Sequence, residues 1–374
     1  MAPKKKSDTE ETESSGSQDI LAAFLKTNKE DHHNFAKRVD YTVSSGSLLL
    51  DMELGGGFKP GIVRMSGISE GGKTSCALLT LGYHLKRPKA KGLIIKAEGR
   101  LSDEMKSRYD YSFVYSAEEW VIGTVFVFET NVYEAAIDLV RQLVKNNPEE
   151  IEYGIIIDSM NGLCRREDLV KDSGDNDKVA GSALLTSVFL QKMGSALGRL
   201  GHICFFISQV RSTVKIDPYA KTDPKITNAS GGNALNHYSD VTLEFQERHK
   251  ADVIERTEGG KEKAVGHFCK IIFRKSANEK TNTLVRYPIK YGRKLGKSVW
   301  VELEIFDMLL AWEFLTKGGA WYNLSPELIA SLGSLWPEGS PVKFQGQDNV
   351  LAWLESNPAI VEFLAKDFKL KISG

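Results

Sequence analysis

The 374-residue sequence predicts an α/β protein built on a mostly parallel, doubly wound sheet. Three observations predict it. Strand-like and helix-like segments alternate from about Val43 to Val241. The strands are continuous apolar runs rather than alternating ones, as expected when helices cover both faces of a sheet. One glycine-rich segment, Gly67-Ile-Ser-Glu-Gly-Gly-Lys-Thr74, lies between such a strand and such a helix, where doubly wound sheets bind their ligands.

The elements follow in order. "SQDILAAFLKTNKEDH" opens on a Ser cap and carries Ile20, Leu21, Phe24 and Leu25 at helical spacing. So short an amphipathic helix is marginal alone and needs a partner surface. "GIVRMSG" is a short strand, "TSCALLTLGYHLKR" a helix and "KGLIIKAEG" a second strand. "VYEAAIDLVRQLVKNN" is a helix ended by Pro148, and "YGIIIDS" a strand buried on both faces. "SALLTSVFLQKMGSALGRLG" is a helix closed by Gly201, and "HICFFISQV" a further strand. Beyond Val241, "DVTLEFQER", "GHFCKIIFRKS" and "TLVRYPIKYG" read as strands that extend the sheet antiparallel. From about Trp300 short helices with Trp and Gly between them form a small second domain.

Composition bounds the function. Lys plus Arg (49) equals Asp plus Glu (49), so any attraction to nucleic acid must come from local patches. No apolar run approaches the roughly 20 residues of a membrane helix. Residues 1–17 lack the apolar h-region of a secretory signal and read as a disordered tail. The "PKKK" within it reads as a solvated charge run rather than a nuclear-import patch. Cys76, Cys164, Cys204 and Cys269 are far apart with no C-x-x-C pairing. That argues against a zinc site and a disulfide framework, and fits a reducing, cytoplasmic location.

The glycine-rich segment fits G-x-x-x-x-G-K-[ST], the pattern of a phosphate loop. Its backbone N–H groups and the helix N-terminus behind them favour an anion. On this reading Gly67, Ile68, Ser69, Glu70, Gly71, Gly72, Lys73, Thr74 and Ser75 hold a nucleotide. Lys73 reaches the β- and γ-phosphates and Thr74 holds Mg²⁺. The competing reading is a glycine-rich turn with an exposed lysine, which the strand before and the helix after disfavour. Asp158, ending "GIIID", supplies the second acid, holding Mg²⁺ through water. Glu98 in "IIKAEGR" ends another strand and is placed to align water, though on the residues alone a surface glutamate reads equally well. Gln209 in "FFISQVR" offers an amide able to sense a γ-phosphate, against the default of a satisfied loop glutamine.

These blocks, in this order, resemble the RecA family of recombinases over roughly residues 43–365. "VSSGSLLLDMELGGGFKPG" resembles the segment leading into the family's phosphate loop, "AEGR" its catalytic strand end, and "IIIDSMNGL" its second ATP motif. "FFISQVR…SGGNALNHYSD" resembles its sensor strand, second DNA loop and following helix. "GAWY" and "GQDNVLAWLESNP" resemble its C-terminal domain and separate bacterial-type members from hexameric helicases and archaeal or eukaryotic relatives. Divergence elsewhere points to a phage-encoded or otherwise remote member.

The resemblance implies a RecA-like P-loop ATPase core over 43–300, an N-terminal oligomerisation segment over 18–42 and a small α+β C-terminal domain over 301–374. It implies a DNA-dependent ATPase that forms filaments on single-stranded DNA and pairs it with homologous double-stranded DNA for strand exchange. Lys73 and Thr74 would bind ATP and Mg²⁺, Glu98 would activate water, and Gln209 would link the γ-phosphate to the DNA loop after it. The loops after Asp158 and Gln209 would face DNA. The first offers Arg165 and Arg166; the second offers Arg211, Lys215, Lys221 and Lys225, with Tyr219 to wedge or stack against bases. Cys164–Ala180 carries a net charge of −1 and Arg211–Ser230 one of +2, so the second loop is expected to dominate DNA affinity. "RYPIKYGRKLGK", with five positive residues and no acid, is either a secondary DNA patch or a solvated hairpin. The family sets two lysines of one subunit against its neighbour's ATP; Lys275 aligns with one, and the other falls at Phe273 or Arg274. The family's adenine-stacking aromatic falls near Met105, and Ile20–Leu25 with Phe35 would dock on the next subunit. Two rivals are a ring-shaped helicase motor, disfavoured by "GQDNVLAWLESNP", and a non-catalytic recombination mediator, disfavoured by the intact Lys73, Thr74, Glu98 and Asp158.

Overall fold

In the computed structural model the apolar runs pair side by side as a sheet whose strands divide their side chains between two helical layers. The structure describes residues 16–29, 39–170, 181–209, 232–258, 260–276 and 281–373. The chain sorts into two bodies, Met1–Arg38 and Val39–Gly374.

The first body carries the helix Ser17–Thr27. Its N-cap is Gly16, with no side-chain cap, so Ser17 is the first helical residue rather than the cap the sequence suggests. None of its residues is buried, and Ile20, Leu21 and Phe24 are all more than half exposed. Phe35 and most of the expected tail lie outside the described residues.

The second body holds strands β1 (Gly61–Gly67), β2 (Ala90–Lys96), β3 (Phe113–Val114), β4 (Val125–Glu129), β5 (Glu152–Asp158), β6 (Ile203–Gln209), β7 (Val241–Phe245), β8 (Val253–Glu258), β9 (Lys261–Lys275) and β10 (Leu284–Lys290). They form one sheet in the order β10-β9-β7-β1-β6-β5-β2-β4-β3, with β8 on β9. β7 pairs parallel with β1. This corrects the expectation that all three late segments run antiparallel. The helix Gly232–Tyr238 lies between β6 and β7, so the chain crosses over instead of turning back. The antiparallel extension begins only at β9, which pairs with β7, β8 and β10.

Successive strand residues point to opposite faces, and both faces are apolar. Val63, Met65, Ile94, Ile156, Phe205 and Ile207 pack under the helix Lys73–His84. Ile62, Leu93, Ile95, Ile155, Ile157 and Phe206 pack under the helices Tyr133–Lys145 and Gly181–Arg199. That division is why the runs read as continuous. Each fully buried aliphatic or phenyl side chain contributes roughly 1.5–3 kcal/mol.

A third cluster lies among the C-terminal elements, around Trp300, Phe306, Tyr322, Leu354 and Phe368. Its three-stranded antiparallel sheet is β11 (Leu315–Gly318), β12 (Trp321–Leu324) and β13 (Lys343–Gln345). Glu304 of the helix Val301–Ala311 is fully buried. Its carboxyl accepts hydrogen bonds from the Ser47 hydroxyl and from Leu48 N at 2.9 Å, the N-terminus of the helix Leu48–Glu53. A carboxyl there satisfies helix N–H groups that lack intrahelical partners, and it ties the C-terminal elements to the segment ahead of β1. Among the described residues no helix is long and apolar enough to cross a membrane.

One close approach seats the phosphate-loop helix. Gly92 and Gly154 are in register on β2 and β5. A Cβ at Gly154 would lie 2.5 Å from Leu81 Cδ1 and 2.8 Å from His84 Cδ2. Both neighbours are fully buried and cannot swing away. Gly154→Ala should therefore lift the helix and destabilise the protein by roughly 1–3 kcal/mol. A lowered urea midpoint checks this; an unchanged midpoint would mean that the helix seat tolerates the added methyl.

Candidate functional site

β1 ends at Gly67, which is in register with Gln209 at the end of β6. The loop then climbs through Ile68, Ser69 and Glu70, all exposed, and returns through Gly71 and Gly72 to the helix that opens with Lys73. Lys73 is buried, and its Nζ donates to the carbonyls of Gly67, at 3.0 Å, and Ile68. Burial pulls the Lys73 pKa below its usual value, while the carboxylates of Asp158 and Glu98 pull it back up. An ammonium that gives up solvent here is poised to exchange two carbonyls for the oxygens of an anion. Ser75 follows in the first helical turn and borders the cleft described below.

Thr74 Oγ1 donates to Asp158 Oδ2 at 3.3 Å, joining the loop's helix to the end of β5. The same carboxylate oxygen accepts from Lys96 Nζ at 2.7 Å. Sequence reasoning missed Lys96. Its signal is the parallel register, which sets Lys96 opposite Asp158.

Glu98 stands just beyond the end of β2, with both oxygens engaged. Ser159 Oγ donates to Oε1 at 2.7 Å and Gln209 Nε2 donates to Oε2 at 3.3 Å. Gln209 N in turn donates to Asn161 Oδ1 at 2.9 Å. The structure thus brings Lys73, Thr74, Asp158, Glu98 and Gln209 to one edge of the sheet.

Beside the loop a cleft of about 670 Å³ runs from Glu70, Gly72 and Ser75 to Tyr291 and Arg293. Met105 is not in its wall, whereas Tyr109, Tyr287 and Tyr291 are. Tyr287 is fully buried and Tyr109 nearly so, which leaves Tyr291 as the wall's exposed ring. The sequence hid this residue inside what reads as a basic run.

Arg274 and Lys275 do not join this group within one chain. Arg274 Nε donates to Glu244 at 2.5 Å and Arg274 Nη1 to Asn282 at 2.9 Å. Lys275 Nζ donates to the carbonyls of Asn236 and His237, at 3.2 and 2.9 Å, closing the C-terminus of the helix Gly232–Tyr238. Phe273 is wholly buried opposite Leu243, so its position faces the core. In the first loop Arg165 is held bidentately by Asp168 and also pairs with Glu167, whereas Arg166 is exposed. The two candidates of the first loop thus differ, because neighbouring acids of the same turn engage Arg165. Arg211, Lys215, Tyr219, Lys221 and Lys225 lie outside the described residues.

The glutamate's position depends on a glycine. A Cβ at Gly162 would stand 2.4 Å from Glu98 Cγ and 3.0 Å from the Ala97 carbonyl. Gly162→Ala should displace the Glu98 carboxylate and cut nucleoside triphosphate turnover by about tenfold or more while the protein stays folded. Steady-state hydrolysis read with circular dichroism checks this, and unaltered turnover would separate Glu98 from the chemistry.

A family model, the RecA N-terminal domain, matches residues 25–292. Curated relatives match most of the chain. Protein RecA of Synechocystis is 27% identical over 334 residues, 89% of this chain and 82% of the relative. Protein RecA of Rippkaea orientalis is 26% identical over 332 residues, 88% of this chain and 83% of the relative. Protein RecA of Gloeothece citriformis is 26% identical over 332 residues, 88% of this chain and 81% of the relative. The match runs through the phosphate loop, the strand ends carrying Glu98, Asp158 and Gln209, and the antiparallel extension. This chain belongs to the RecA family, the DNA-dependent ATPases that act as recombinases in recombination and repair.

Proposed function

We propose that the chain hydrolyses ATP with Mg²⁺ at this sheet edge while polymerised on single-stranded DNA, and that it promotes homologous pairing and strand exchange there. The observation that carries this reading is the meeting of these side chains at one sheet edge: Thr74 is hydrogen-bonded to Asp158 and Gln209 to Glu98, and the charges of Asp158 and Glu98 act on the buried Lys73 ammonium.

The residues fit a hydrated divalent cation. The Thr74 hydroxyl and the Asp158 carboxylate are hard oxygen donors 3.3 Å apart, beside a loop built for anions. Bound with the nucleotide, Mg²⁺ supplies charge neutralisation at the phosphates. The chain's own residues do the rest. Lys73 turns its ammonium from the loop carbonyls to the phosphate oxygens. Loop N–H groups hold the phosphates against the helix N-terminus. Glu98, once released by Gln209, orients the attacking water through its free oxygen. Gln209 then turns its amide toward the γ-phosphate and carries the change into the segment that follows it. Tyr291 offers a ring to the base.

Arg274 and Lys275 serve a neighbouring subunit's ATP on this reading; within the chain they bond Glu244 and the Asn236 carbonyl rather than the groups around Lys73. The exposed apolar stripe of Ile20, Leu21 and Phe24 docks on a further copy and builds the filament. Arg166 in the first loop, and Arg211, Lys215, Tyr219, Lys221 and Lys225 in the second, contact DNA. The free cysteines fit a cytoplasmic protein.

Glu98→Gln tests the site. It should keep nucleotide and single-strand binding and slow ATP turnover by about 100-fold or more. Full turnover in a variant that still binds both would place the water on another group.

A further inference from the structure

Lys96 is the feature of the site that the reading above leaves unused. It ends β2 in register with Asp158 on β5 on one side and with Glu129 on β4 on the other. Its ammonium contacts Asp158 Oδ2 at 2.7 Å, and this is the oxygen that the Thr74 hydroxyl also touches. The pair is largely withdrawn from solvent, with side-chain exposures of 13% for Lys96 and 10% for Asp158. At such burial a unit charge in contact acts with little screening.

We propose that Lys96 is a positioning residue that sets the cation demand of the nucleotide site. The inference rests on the reading of this site as one for ATP and Mg²⁺. The ammonium neutralises Asp158 before a divalent cation arrives, so a nucleotide can enter without meeting a bare carboxylate. It then competes for Asp158 with the water shell of the divalent cation. Lys96 thus strengthens metal-free nucleotide binding and weakens the site's hold on the divalent cation, by the same charge.

The register supplies the place to which the ammonium withdraws. Parallel partners in register point to the same face of a sheet, so Glu129, whose backbone lies about one strand spacing (~4.8 Å) from that of Lys96, presents a second carboxylate on the face that carries Asp158. Glu129 is exposed, so holding the ammonium there costs less desolvation than leaving two cations on Asp158.

A structural staple between β2 and β5 would behave differently. Its loss would weaken nucleotide binding with and without metal alike. A charge that competes with the metal moves the two affinities in opposite directions.

The test uses the full chain and a fluorescent N-methylanthraniloyl derivative of ATP, followed by anisotropy in EDTA and across a MgCl₂ titration. Lys96→Met should weaken binding in EDTA by about tenfold and lower the half-saturating MgCl₂ concentration by about tenfold, the order expected for removing one little-screened charge. Lys96→Arg, which keeps the charge, should restore both values toward the parent chain. If Lys96→Met does not fold, Lys96→Gln carries the same expectation. Both affinities falling together, or neither moving, overturns the role of Lys96. Absence of binding by the parent chain in both conditions overturns the ATP reading itself, a separate failure.

Discussion

Parallel register is the constraint on which the site depends. A parallel sheet brings the carboxyl ends of its strands to one edge. Here β1, β2, β5 and β6 arrive there in a register that sets Gly67 beside Gln209 and Lys96 beside Asp158. The residues that meet are far apart in the chain. Glu98 is 61 residues from Ser159 and 111 from Gln209, and Thr74 is 84 from Asp158. A one-residue slip of any of these strands would send its side chain to the opposite face. The apolar faces prevent it, because each slip would also exchange the residues packed under the two helical layers.

The same register gives Glu98 its position between two departing segments. Ser159 opens the chain that leaves β5, and Gln209 closes β6 before the chain leaves again. Asn161 and Gln209 are themselves bonded. A displacement of either segment therefore reaches the carboxylate through one hydrogen bond. On the proposed reading this is the link through which DNA bound beyond these strands would act on ATP turnover.

The fold and half of the site were legible because their signals are local. The phosphate loop is a contiguous spacing, and Asp158 closes an unmistakable apolar run. Glu98 and Gln209 could be placed at strand ends, but the residues alone left each open against a bland alternative. What stayed hidden depends on cross-strand or through-space relations. Lys96 looks like an ordinary charge closing a strand until its partner in register is known. Tyr291 was masked by the lysines and arginines around it, while the expected aromatic position holds Met105. Arg165 reads as a free cation until Asp168 is seen to hold it bidentately. The parallel pairing of β7 follows from the crossover helix Gly232–Tyr238, whereas the strand's own sequence resembles that of the antiparallel strands after it.

The central claim is that this sheet edge hydrolyses ATP as part of a filament on single-stranded DNA. Measuring ATP turnover with and without single-stranded DNA, on samples imaged at the same time by electron microscopy, tests it most directly. The account predicts that single strands raise turnover and that helical filaments form with them. Closed rings without filaments, or turnover indifferent to DNA, would contradict it.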